Sequence, residues 1–187
     1  MKESGFRQGF EARIGHFGLD ERARAMMKEA WPLIAPHLDN AIDELLAAVG
    51  KLPHIAEIIA GKKEMIKQLE ASHYQALLGG GLDSHYIESC RRTVEQEAAI
   101  GLDGRMRSTA GNHVLRVALK ALERKYWLSG KMVERAAVVS QLIALDVTNA
   151  MALHREFAEK GGCGAARRHR RGDCGFRRRH RRRGRRH

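Results

Sequence analysis

Residues 73–102, HYQALLGGGLDSHYIESCRRTVEQEAAIGL, decide how the rest of the chain is read. Two helix signals flank a triple glycine. Upstream, Ile66, Leu69, His73 and Ala76 step by three and four along one stripe, which predicts a helix from about Lys62 to Leu78. Gly79, Gly80 and Gly81 end it, because glycine takes the left-handed conformation that a helix stop needs. Asp83 or Ser84 can cap a second helix, which ends near Gly101. In that helix Ile87, Cys90 and Val94 mark a buried face, and the next place on the stripe is Glu97. A carboxylate thus stands where an apolar side chain is due. Unpaired there, its charge is costly and its pKa rises.

The same reading extends outward as helices joined by short breaks. A short first helix is predicted over about Ser4 to Ile14, with a break at Gly18 and a new start at Asp20. The helix through ERARAMMKEAWPLI should be interrupted at Pro32 and Pro36. LDNAIDELLAAV stops at Gly50, and Pro53 opens the short segment HIAEIIAG. Two long helices follow, from about Arg105 to Tyr126 and from Lys131 to Lys160. In the last, Val139, Leu142, Ala150, Leu153 and Phe157 form a stripe that Val138, Ile143, Leu145 and Met151 widen. So wide an apolar surface suits either a second subunit or a central helix buried within one chain. The low aromatic content, 5%, and three prolines agree with an all-α fold.

Charge divides the chain at residue 160. Residues 165–187 hold twelve arginines and one aspartate, nearly all of the net charge of +12. Residues 1–160 therefore read as one nearly neutral domain, and residues 161–187 as a disordered, arginine-rich, low-complexity tail. That tail reads either as an arm that binds nucleic acid by neutralising phosphates, or as GC-rich DNA translated in a wrong frame. Its Cys163, His169, Cys174 and His180 match no standard zinc spacing. The cysteine usage fits a reducing cytoplasm, the first residues form no signal peptide, and no stretch approaches the roughly 18 apolar residues of a membrane span. No phosphate loop, βαβ alternation, nucleophile triad or carboxylate pair at catalytic spacing is present, so an enzyme is not expected.

Residues 15–160 resemble the sensor globins of globin-coupled sensors, particularly chemoreceptor-linked members from alphaproteobacteria. The matching segments are WPLIAPHLDNAID, the stretch at 73–102, and SQLIALDVTNAMALH. The resemblance implies a globin fold with a short extra N-terminal helix and no proper D helix. The helix of His73 becomes E, that of Glu97 becomes F, and the last two become G and H. It implies haem b as cofactor, oxygen or another gas as ligand, a cytoplasmic homodimer built on the last two helices, and fusion to a transmitter such as a chemoreceptor signalling region. In that frame Glu97 occupies the place of the proximal histidine, three residues before Ile-Gly-Leu. Leu46 occupies the place of a distal tyrosine. Gly104, Met106 and Arg107 stand where the family commonly has proline and then Trp-Tyr.

The implied haem pocket comprises Glu97, His73, Leu46, Leu69, Val94 and Ile100. A carboxylate is a poor axial ligand for ferrous haem, which prefers imidazole. Three readings of His73 stay open. It ligates iron from the distal side; or haem is absent and His73 pairs with Glu97 in a closed interior; or each residue is half-exposed. His85, His113 and His154 read as solvated surface, and His37 and His54 as edge positions. The function implied is a signal-input globin for gas sensing in chemotaxis or other signalling. The alternatives are a haem-free sensory globin, as in stressosomes, and nucleic-acid binding through the tail.

Overall fold

The computed structural model describes residues 5–180, with side chains described over residues 9–79 and 81–160. Those residues form eight α-helices and no strand. They are α1 (Gly5–His16), α2 (Glu21–Ile34), α3 (Leu38–Val49), α4 (Pro53–Ile59), α5 (Lys63–Gly80), α6 (Ser84–Ala99), α7 (Gly104–Tyr126) and α8 (Lys131–His180). The chain divides into two compact units, Met1–His154 and Arg155–His187. In the second, Arg155 pairs with Glu159 at 2.9 Å and Lys160 with Glu156, the i,i+4 spacing of neighbours on a helix surface. The predicted disordered tail, with its candidate metal and nucleic-acid residues, lies outside the described side chains, while the helical backbone reaches His180.

Three aspartates start helices. The Asp20 carboxylate accepts from the Ala23 N–H, Asp83 from those of His85 and Tyr86, and Asp103 from that of Arg105. Each satisfies an N–H that the first turn leaves without a partner. Gly81, at φ 95°, stops α5 in the left-handed region, as the triple glycine predicts. One expectation fails at Pro32. It lies inside α2 and does not interrupt it, and the helix instead tightens into a 3-10 turn at Ala35–His37 around Pro36. A proline near a helix end removes a single N–H, and the tighter turn that follows absorbs the change in path.

Within the first unit, α5 packs on α6, and α2 and α3 pack on both α5 and α7. Ala41, Ile42, Ala110, Ala118, Leu122, Val139 and Ala150 are sealed from solvent. A Cβ added to Gly111 of α7 would lie 2.8 Å from Ile143 Cγ2 of α8, so these two helices approach as closely as a missing side chain permits.

The width of the α8 stripe resolves largely within one chain. Val138, Ile143 and Leu145 are buried, and of the widening residues only Met151 is exposed. No continuous run of about 18 apolar residues is present, but residues 131–160 are long and apolar enough on average to cross a membrane by length and composition alone. Half of that apolar window is buried in the fold.

Candidate functional site

Nine polar or charged residues of the first unit are buried, and seven of them form one connected group. At its centre is Arg107 of α7, fully sealed. One terminal nitrogen donates to Glu70 Oε2 of α5 at 2.8 Å, and the other to Glu97 Oε1 of α6 at 2.9 Å. The guanidinium thus bridges the two helices that, by the sequence resemblance, flank the cofactor. Its planar fork suits two carboxylates approaching from different sides. The second oxygen of Glu97 lies 3.1 Å from His154 Nε2 on α8.

Asp146 of α8 joins the group on the far side of Arg107. Its Oδ2 lies 3.8 Å from Arg107 Nε, an ion-pair distance without a hydrogen bond. Its Oδ1 meets His73 Nε2 at 2.8 Å and accepts from the Tyr86 hydroxyl at 2.9 Å. Asn149, one turn along α8, donates to Tyr86 Oη at 3.1 Å and accepts from Arg13 Nε at 2.7 Å. His73 Nδ1 lies 3.4 Å from Ser89 Oγ on α6. The His73 and Tyr86 rings are 5.8 Å apart.

Electrostatics sort the carboxylates. Burial pushes Glu97 up, but Arg107 and His154 outweigh it and hold Glu97 below the ordinary range. Burial likewise pushes Asp146 up, but His73 and Arg107 outweigh it and hold Asp146 below the ordinary range. Glu70 has only a share of Arg107 and faces Glu97, so burial prevails and lifts its pKa from 4.5 to about 8. Two carboxylates sharing one cation divide in this way, one staying ionised and the other keeping its proton near neutrality. With Asp146 ionised, the hydrogen between it and His73 belongs to Nε2.

The sequence-derived pocket residues are placed unequally. Glu97 and His73 are 2% and 0% exposed, so the half-exposed reading is corrected. Their direct pairing is corrected too. Arg107 stands on Glu97, and Asp146 on His73, since each buried charge needs an opposite charge within reach. Leu46 and Val94 are buried, whereas Leu69 and Ile100 are only partly so. His154, expected at the surface, is mostly buried against Glu97, because the turn of α8 that carries it packs beside the end of α6. His85 and His54 are exposed, His37 is half-buried, and half-buried His113 sits 3.2 Å from Arg116.

Sequence reasoning did not find Glu70, Arg107, Asp146, Tyr86 or Asn149 as partners. One signal was available. The α8 stripe passes from Leu142 to Ala150 over a whole turn, and Asp146 fills the gap.

The arrangement offers haem no free imidazole. His73 has both ring nitrogens engaged, one of them by an ionised carboxylate. The residue at the proximal place is a carboxylate already held by a guanidinium and an imidazole. Arg107 brings a fixed positive charge between α5 and α6 where an apolar slot would be required. These residues do not fit the group.

Comparison with known proteins is consistent with the fold. The Protoglobin family model matches residues 7–157. Among solved structures, the globin domain of the Geobacter sulfurreducens globin-coupled sensor superposes with a TM-score of 0.69 at 16% identity, over 78% of this chain and 97% of that one. No curated protein matches the sequence.

Proposed function

Because the chain belongs to the Protoglobin family, whose members are haem-binding globins that serve as gas-sensing signal inputs, we propose that it is a signal-input globin that works without haem. The single observation behind this reading is the Arg107 guanidinium set between Glu70 and Glu97. Removing Arg107 from that position leaves two or three buried acids without their counter-charge, so haem entry carries the cost of dismantling the network. The sensory role then passes to the network itself, which ties α5, α6, α7 and α8 together through ionisable groups.

The output is a transmitter of the kind that globin-coupled sensors carry, with a chemoreceptor signalling region as the first choice. A homodimer through the last two helices is supported by the exposed apolar side chains at the α7–α8 turn, Trp127, Leu128 and Val133. Large apolar groups clustered at a surface favour a partner.

The test is purification from cells supplied with a haem precursor, followed by absorbance in the Soret region. The expected result is protein without a stoichiometric Soret band. A stoichiometric band that disappears in His73→Ala restores the gas-sensor reading with His73 as the iron ligand.

A further inference from the structure

A cleft of ≈ 250 Å³ lies between α2 and the corner that joins α5 to α6. Its walls are mainly apolar, with Leu19, Ala23 and Met27 on one side and Leu77, Leu82 and Leu142 on the other. Its cationic residues are Arg24 and Lys28, one turn apart on α2. We propose that this cleft binds a medium-chain aliphatic carboxylate, with its tail among the leucines and its head on Arg24 and Lys28.

The charge pattern selects an anion. Neighbouring cations are paired, Arg22 with Glu134 at 3.0 Å and Arg135 with Glu29 at 2.6 Å. Arg24 only donates from Nε to the Leu19 carbonyl at 3.4 Å, and among the described residues neither it nor Lys28 has a carboxylate partner. Three of the acids on these elements are committed elsewhere, Glu29 to Arg135, Asp20 to capping α2 and Asp83 to capping α6. Two unpaired cations beside an apolar cleft suit a ligand with one anionic end.

The volume selects the tail. At ≈ 250 Å³ the cleft has room for an alkyl tail of several carbons, far more than a bare carboxylate fills.

The backbone supplies an independent sign. Leu82 is the one non-glycine residue with positive φ among the described residues, at 64°, and it is buried in this wall. A bulky side chain in the left-handed region is an outlier, and such strain tends to gather at ligand-binding corners. Gly79 adds close packing, because a Cβ there would meet Trp31 Nε1 at 2.9 Å.

The cleft is also placed to report. Leu77 follows His73 by one turn of α5, and Leu142 precedes Asp146 by one turn of α8. An occupant therefore touches the two helices joined by the His73–Asp146 pair, 2.8 Å apart. The proposal goes beyond the haem-free reading, and none of the cleft residues belongs to the charge network, so a Soret measurement decides nothing about it.

The experiment uses the full chain carrying Trp127→Phe, an exposed position, which leaves Trp31 as the sole tryptophan beside Gly79. Octanoate is titrated while Trp31 fluorescence is read, with acetate as the headgroup alone. The expected result is a saturable change with octanoate and none with acetate. The apparent Kd should rise at least tenfold in Arg24→Glu/Lys28→Glu, at a half-buried and an exposed position. It should also rise at least tenfold in Ala25→Phe, which fills the cleft from an exposed lining position. Helical circular dichroism verifies that each variant is folded. An unresponsive Trp31, an equal response to acetate, or unchanged curves in the folded variants overturns the proposal.

Discussion

The two halves of α5 bury their inward faces by opposite means. Near its middle, Glu70 and His73 enter a sealed interior where every charge has an opposite charge within reach. Two turns later, Leu77 and Leu78 line a cleft that is apolar, open and flanked by cations without acid partners. In the first region the charges are matched within the chain, so removing Arg107 strands its acids. The second is unsaturated and can accept a partner without losing anything. A globin fold ordinarily devotes its E–F space to a cofactor. Here the α5–α6 interior holds the paired charges of Glu70, Glu97 and Arg107, and an apolar cleft lies at the glycine corner.

The largest effect should come from breaking the saturated region at its centre. Arg107→Ala leaves Glu97 and Asp146 buried without their guanidinium and should lower unfolding stability by about 3–5 kcal/mol in denaturant melts. The apolar corner should tolerate change better. Gly79→Ala places a Cβ against the Trp31 ring and should cost about 1–3 kcal/mol, with Trp31 fluorescence reporting the shift.

The division between the carboxylates makes a sharper test through pH. Glu70, lifted by burial from 4.5 to about 8, keeps its proton in the folded chain over a range where the unfolded chain has lost it. The folded state then binds more protons, so this group's stabilisation is fully present below about pH 4.5 and fades as the pH rises towards 8. Glu97 and Asp146, held low chiefly by Arg107 and by His73, act in the other direction, and their stabilisation is lost as acid protonates them. Glu70→Gln mimics the protonated form and should flatten the decline between pH 5 and pH 8, a change on the order of 1–3 kcal/mol. An unaltered slope in melts across that range would place the titration elsewhere. The smallest effect is expected at the junction of the two regions. Asp83→Ala removes the cap that accepts from the His85 and Tyr86 N–H groups and should cost about 1 kcal/mol.

Much of the fold was legible in the sequence because helix periodicity, capping aspartates and left-handed glycines are local signals. Gly81 and Asp83 act where the letters place them. Pro32 was misread because its effect depends on how near it stands to the helix end. The site was legible only in part. The phase of α6 marks Glu97 as buried, but its partners lie ten and fifty-seven residues away, and that of His73 seventy-three. No local pattern specifies which acid meets which cation across such distances. Arg107 drew notice only as a departure from an aromatic place, while Asp146 hid within an apolar run.

The central claim, that buried charge has taken the cofactor's place, is tested most directly by titrating haemin into the purified chain and into Glu97→His/Arg107→Tyr side by side. The double variant puts an imidazole at the proximal place and removes the central cation. The wild-type chain should give no saturable Soret band, and the double variant should gain one at about one haem per chain. A wild-type chain that binds haemin stoichiometrically, with Glu97 and Arg107 in place, would contradict it.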